Sequence, residues 1–114
     1  MQKTTEIGEK GENLAKDFLI AKNYTILFMN WRFKHSEIDI IAQDGKMIVF
    51  VEVKVRSNMD FGDPESFVDD KKIEKMEEAA DEYIEQKDWN GELRFDIIAI
   101  DKNNGITHFE DAFY

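Results

Sequence analysis

Three residues set the chemistry open to this chain: Asp39, Glu52 and Lys54 fall in the pattern D-x12-E-x-K, with Glu37 two residues before Asp39. Two neighbouring carboxylates can hold a hard, oxygen-seeking cation such as Mg2+, completed by a backbone carbonyl and water. A cation so held stabilises charge on a scissile phosphate, while a nearby ammonium orients the nucleophile and balances developing charge. The pattern thus holds the residue types that metal-dependent phosphodiester hydrolysis requires. Asp39 and Glu52 would be the ligands, with the main-chain carbonyl of Val53, and Lys54 the catalytic lysine; Mg2+ or Mn2+ would be the cofactor. The same spacing also suits a plain ion-pair ladder on an edge strand, in which Lys54 and Arg56 neutralise the acids.

Positioning these groups falls to a hairpin. In MIVFVEVKVR, strand alternation puts Val49, Val51, Val53 and Val55 on one face and Ile48, Phe50, Glu52, Lys54 and Arg56 on the other. The second face begins apolar and turns charged midway, a local inconsistency typical of functional sites. Asp44-Gly45 suits a tight two-residue turn, which would pair Gln43 with Lys46. Asp39 would then lie diagonal to Glu52 and Glu37 directly opposite it, and acids crowded in this way call for a compensating cation. A helix from Thr5 to about Lys22, with Ile7, Leu14, Phe18 and Ala21 at helical spacing, adds Glu12 in line with Gly8, Ala15 and Leu19. Those small neighbours would let the helix approach the sheet closely.

The remaining elements read as a strand over Tyr24–Phe33, a polar loop over 57–68, and a second helix from about Ile73 to Gln86. A strand over Leu93–Asp101 and a short last strand at Ile106–Glu110 follow. The order α-β-β-β-α-β-β describes one α/β domain, a mixed sheet flanked by two helices, over residues 1–114.

Composition narrows the function. With 42% apolar residues and 12% aromatic, the chain can build a core despite being 35% charged. The absence of cysteine excludes disulfides, thiolate zinc sites and thiol catalysis, and only two histidines are present. His35 reads as a loop residue and His108 as a surface position on the last strand, while Trp31 and Trp89 read as packing residues. No apolar run reaches membrane-spanning length and no apolar signal core opens the chain, so a cytoplasmic location is expected. The net charge of −10 argues against a broad nucleic-acid surface, but residues 1–58 carry +1 and residues 59–114 carry −11. The acidity thus belongs to the second half, above all the second helix.

On Gly8, Gly11-Glu12, Ala15, Asn30, Arg32, Glu37-Ile38-Asp39, Ile41-Ala42, the run Val49 to Lys54, Arg56, Phe61-Gly62, Lys71, Arg94-Phe95-Asp96 and Asp111-Ala112-Phe113, the chain resembles the YraN family of predicted endonucleases. These small bacterial proteins are similar to archaeal Holliday junction resolvases of the PD-(D/E)XK class. The resemblance implies a restriction-endonuclease-like αβββαβ core, with Asp39 and Glu52 as metal ligands, Lys54 as catalytic lysine and Glu12 assisting metal binding. It makes Arg32, Arg56 and Lys71 candidate phosphate contacts, and branched or structured DNA the expected substrate, in repair or recombination. Ser36 stands where the family usually has Gly, and Ile38 replaces the proline of the superfamily name. Junction cleavage would imply a homodimer, because two strands must be cut. The alternative is a non-catalytic nucleic-acid- or protein-binding module of a DNA-processing complex, docking a protein partner through its acidic second helix.

Overall fold

The computed structural model describes residues 4–55 and 70–113; Arg56 and the loop expected over 57–68 lie outside them. The elements appear in the expected order: α1 (Thr4–Ala21), β1 (Thr25–Phe33), β2 (Ser36–Asp44), β3 (Met47–Val55), α2 (Asp70–Lys87), β4 (Glu92–Ile100) and β5 (Ile106–Phe109). The strands make one sheet in the order β1-β2-β3-β4-β5. All neighbours are antiparallel except β3 and β4, whose parallel pairing requires a crossover that contains α2. This is a mixed five-stranded α/β sheet with two helices, consistent with a restriction-endonuclease-like core. Among the described residues no helix is long and apolar enough to cross a membrane.

Alternation along β3 explains the two layers. Val49 and Val51 pack with Ala15 and Leu19 of α1, joined by Ile40, Ala42, Ile98 and Ile100. Ile48 and Phe50 point the other way, to Met76, Ala79, Ala80 and Tyr83 of α2. Each helix thus covers one face of the sheet. Both helices end alike, because Asn23 (φ 71°) and Asp88 (φ 51°) take the left-handed conformation just past the last turn. The next amide donates back five residues, Tyr24 to Leu19 at 3.0 Å and Trp89 to Ile84 at 3.1 Å, so orphan carbonyls are satisfied where apolar side chains meet.

The hairpin register differs from the expected one. Asp44 pairs with Met47, leaving Gly45-Lys46 as the turn, and Phe50 lies opposite Ile41 rather than Asp39. Only Gly45 takes a positive φ, 61°, which is the pattern of a turn with glycine at its first central position. The alternative turn would have required Asp44 to adopt positive φ as well. The displacement preserves which residues share a face as far as Ile40–Val51, where the ladder ends short of Asp39 and Glu37.

Candidate active site

Glu52 sits where the α2-facing row of β3 turns from apolar to charged, and it is only 3% exposed. Its Oε1 receives Lys54 Nζ at 3.2 Å and, from the first turn of α2, Lys72 Nζ at 3.5 Å. Its Oε2 is buried and has no hydrogen-bond partner among the described residues. A buried carboxylate oxygen without a donor costs about 1–3 kcal/mol or more, so it is an acceptor open to a donor or a cation.

Asp39 is presented by a break in β2. The β2–β3 ladder runs out at Ile40–Val51, and beyond it the Val53 N–H donates to Asp39 Oδ2 at 2.8 Å instead of to a strand carbonyl. Ile38 and Ile40 would share a face on a regular strand, yet Ile38 packs beneath α2 and Ile40 beneath α1. Level with this break on β1, between the pairs Met29–Ile40 and Trp31–Ile38, Asn30 takes φ 58°. Its side-chain amide hydrogen-bonds Glu12.

Three carboxylates converge here. Glu12, Glu37 and Asp39 each bring one oxygen within 4.8 Å of the other two. Glu37, expected opposite Glu52, is instead turned to Glu12 and Asp39 and braced by Arg32, whose Nε lies 2.7 Å from its Oε2. Burial, and then the charge of Glu52, push Asp39 up to about 7; the Val53 N–H opposes this, and Glu12 and Glu37 add to it. Burial likewise raises Glu12, against the hydrogen bond from Asn30 and with the charges of Glu37, Glu52 and Glu9. Burial and mutual repulsion thus make the ionised form of both carboxyls costly, a cost that a proton or a cation relieves. The cluster of Glu12, Glu37 and Asp39 offers a hard divalent ion an all-oxygen, half-buried donor set, and the charge of Glu52 reaches both Asp39 and Glu12. A cleft of about 300 Å3 lined by Glu9, Asn13, Lys16, Met29 and Asn30 opens beside Glu12.

The expected residues Glu12, Asp39, Glu52, Val53 and Lys54 therefore lie in one region, although by a strand break rather than along one regular hairpin face. Arg32 stands beside them on Glu37, 77% exposed, and Lys71 is exposed on the first turn of α2. Arg56 lies outside the described residues. Lys72 was not among the expected site residues. Its signal is helical spacing, because the buried stripe Met76, Ala79, Ala80 and Tyr83 leads back four residues to Lys72.

His108 corrects an expectation. Its side chain is buried, 4% exposed, and its partner is Asp96 on β4, with Nε2 2.7 Å from Oδ2. Asp111 contributes only its backbone N–H, to Asp96 Oδ1 at 3.0 Å. Lys22 Nζ stands 2.9 Å from His108 Nδ1, and since an ammonium can only donate, Nδ1 accepts and Nε2–H points to Asp96. Arg94 completes the network with two bonds to Asp96 and one to the Tyr24 hydroxyl. The two tryptophans pack as expected: Trp31 donates to the Ala79 carbonyl and meets Tyr83 edge-on, and Trp89 donates to the Glu92 carbonyl.

Residues 11–100, which contain every acid and lysine of this site, match the family described as uncharacterised protein family UPF0102. Similar proteins include a UPF0102 protein of Flavobacterium psychrophilum, 48% identical over 100% of this chain and 98% of its own length. Others come from Christiangramia forsetii, 44% identical over 100% and 98%, and Thermodesulfovibrio yellowstonii, 45% identical over 96% of both chains. With the family's span and its relatives' full lengths both matched, the chain belongs to UPF0102, the YraN group of endonuclease-like proteins.

Proposed function

We propose that this protein is a Mg2+- or Mn2+-dependent endonuclease that hydrolyses phosphodiester bonds in branched or otherwise structured DNA. The observation that carries this reading is Glu52: a buried carboxylate with two lysines on one oxygen and, among the described residues, no hydrogen-bond partner on the other, its charge felt by Asp39 and Glu12. Asp39, Glu52 and Glu12, with the main-chain carbonyl of Val53, would hold the metal. When bound, it would supply electrostatic stabilisation of the charge that builds on the phosphodiester. Lys54, paired with Glu52, would orient the attacking water and offset that charge. Arg32 fixes Glu37, and Arg32, Arg56 and Lys71 would give the phosphate backbone a small cationic surface on an acidic protein. Cutting both strands of a junction would call for two such sites, hence a homodimer.

The test is cleavage of linear, single-stranded, flapped and four-way DNA at low salt with Mg2+ or Mn2+. Metal-dependent nicking of at least one substrate is expected, with Lys54→Ala slower by about a hundredfold or more. A wild-type rate in that variant, or no cleavage with either metal, would leave the second reading: a non-catalytic module in a DNA-processing complex. The feature favouring it is α2, whose outward side carries Glu74, Glu78, Asp81 and Glu85 exposed and offers a basic partner a ready surface.

A further inference from the structure

Charge balance at the site singles out Lys72. Among the described residues, Glu12, Glu37, Asp39 and Glu52 face three cations, Lys54 and Lys72 on Glu52 and Arg32 on Glu37. Fully ionised, the acids are in excess by one charge, and a divalent cation reverses that to one surplus positive charge. In a half-buried site such a surplus is poorly screened, so a cation moves away or an anion is taken up. Of the two lysines sharing Glu52 Oε1, Lys54 is the nearer, is 27% exposed and sits two residues from Glu52 on the same strand. Lys72 is the farther, is 39% exposed and reaches in from a different element.

We propose that Lys72 is a substrate-binding residue that occupies Glu52 until a divalent metal arrives and then turns to a phosphate of the nucleic acid, whose single charge restores balance. This rests on the metal-dependent nuclease reading. Without metal, Lys72 partly satisfies a buried acid; with metal, it becomes one more phosphate contact. The site is thereby primed for DNA only when loaded.

Two measurements test this. In the wild-type protein, amine-reactive footprinting read by mass spectrometry should show Lys72 labelling rise when Ca2+, which supports binding rather than cleavage, is added. Labelling should fall again with a four-way DNA. In parallel, Lys72→Gln is compared with Lys75→Gln, the same charge change at an exposed position three residues along α2. Lys72→Gln should bind Ca2+ or Mn2+ roughly two- to fivefold more tightly, because a competing cation is gone. In metal it should bind DNA more weakly, with the slope of log affinity against log salt shallower by about 0.9, one phosphate contact. In chelator its DNA affinity should match that of Lys75→Gln. Opposite effects on metal and on DNA are what a purely structural lysine would not produce. Metal-insensitive Lys72 labelling, or an unchanged salt slope in Lys72→Gln, would overturn the inference while a metal- and DNA-binding wild type kept the nuclease reading. A wild type indifferent to both metal and DNA would overturn the two together.

Discussion

Asp39 burdens the metal-free fold, and this makes it the most informative single residue. Burial and the neighbouring Glu52 raise its pKa to about 7, whereas an aspartate in an unfolded chain titrates near 4. Between about pH 4 and 7 the folded protein therefore holds a proton that the unfolded chain has released. Its contribution to stability is complete below about 4 and is lost as pH rises through 7. Asp39→Asn keeps an oxygen for the Val53 N–H but cannot ionise. At pH 8 it should exceed wild type in stability by about 1–3 kcal/mol, and the gap should close towards pH 4. Metal should reverse the order: a hundredfold excess of Mg2+ over its dissociation constant stabilises the wild type by about 2–3 kcal/mol and leaves the variant unmoved. Because the ligand must be ionised, metal affinity should fall about tenfold per unit below pH 7. Thermal melts in chelator and in metal at pH 5 and 8 read all of these. An ion-pair ladder with no metal gives the opposite result, a destabilised Asp39→Asn and a metal-indifferent wild type.

At the scale of elements, both helices bring a charged side chain to the acidic cluster by the same device. The buried stripe of α1, Ala15 and Leu19, leads back to Gly11 and Glu12, and that of α2 leads back through Met76 to Lys72. Glu12 was legible in the sequence because an acid aligned with small and apolar positions stands out. Lys72 was not, because a helix start drawn near Ile73 hides the turn that begins at Asp70. The strands of the hairpin were legible from alternation and from Gly45, but the meeting of Glu37 with Glu12 was not. It depends on the broken phase at Asp39 and the left-handed Asn30, which no periodic pattern announces. Gly11 permits the close approach of α1, since a Cβ there would come 2.5 Å from Val55 Cγ2. Gly11→Ala should therefore destabilise by about 1–3 kcal/mol, although alanine is the better helix former. It should also weaken the metal-induced shift, by moving Glu12 outward. Val55→Ala should restore most of both, and a double-mutant cycle showing no coupling between the two positions would contradict the close-approach account.

Across the whole molecule, half-buried Asp39 and buried Asp96 pull the pH profile in opposite directions. Asp96 lies on the α1 face near the C-terminal end of that helix, where Tyr24 and Lys22 reach its network, some ten residues or about 15 Å along α1 from Glu12. Burial alone would raise Asp96, but hydrogen bonds from His108, Arg94 and the Asp111 N–H outweigh it and hold the carboxyl below the usual range. Its contribution is therefore present above about pH 4 and lost as pH falls below that, whereas the contribution of Asp39 is lost on the way up to 7. A net charge of −10 adds self-repulsion on the same alkaline side. In chelator the wild type should be most stable near pH 5 rather than near neutrality, and Mg2+ should move that maximum upward by keeping Asp39 usefully ionised. Asp96→Asn weakens the hold on a half-buried arginine and should lower the profile by about 2–4 kcal/mol at pH 6. It should nevertheless retain the wild-type response to metal, because its partners belong to the other end of α1. Melts of wild type, Asp39→Asn and Asp96→Asn from pH 4 to 8 would separate the two acids. A metal response lost equally in both variants would show instead that the networks are energetically one.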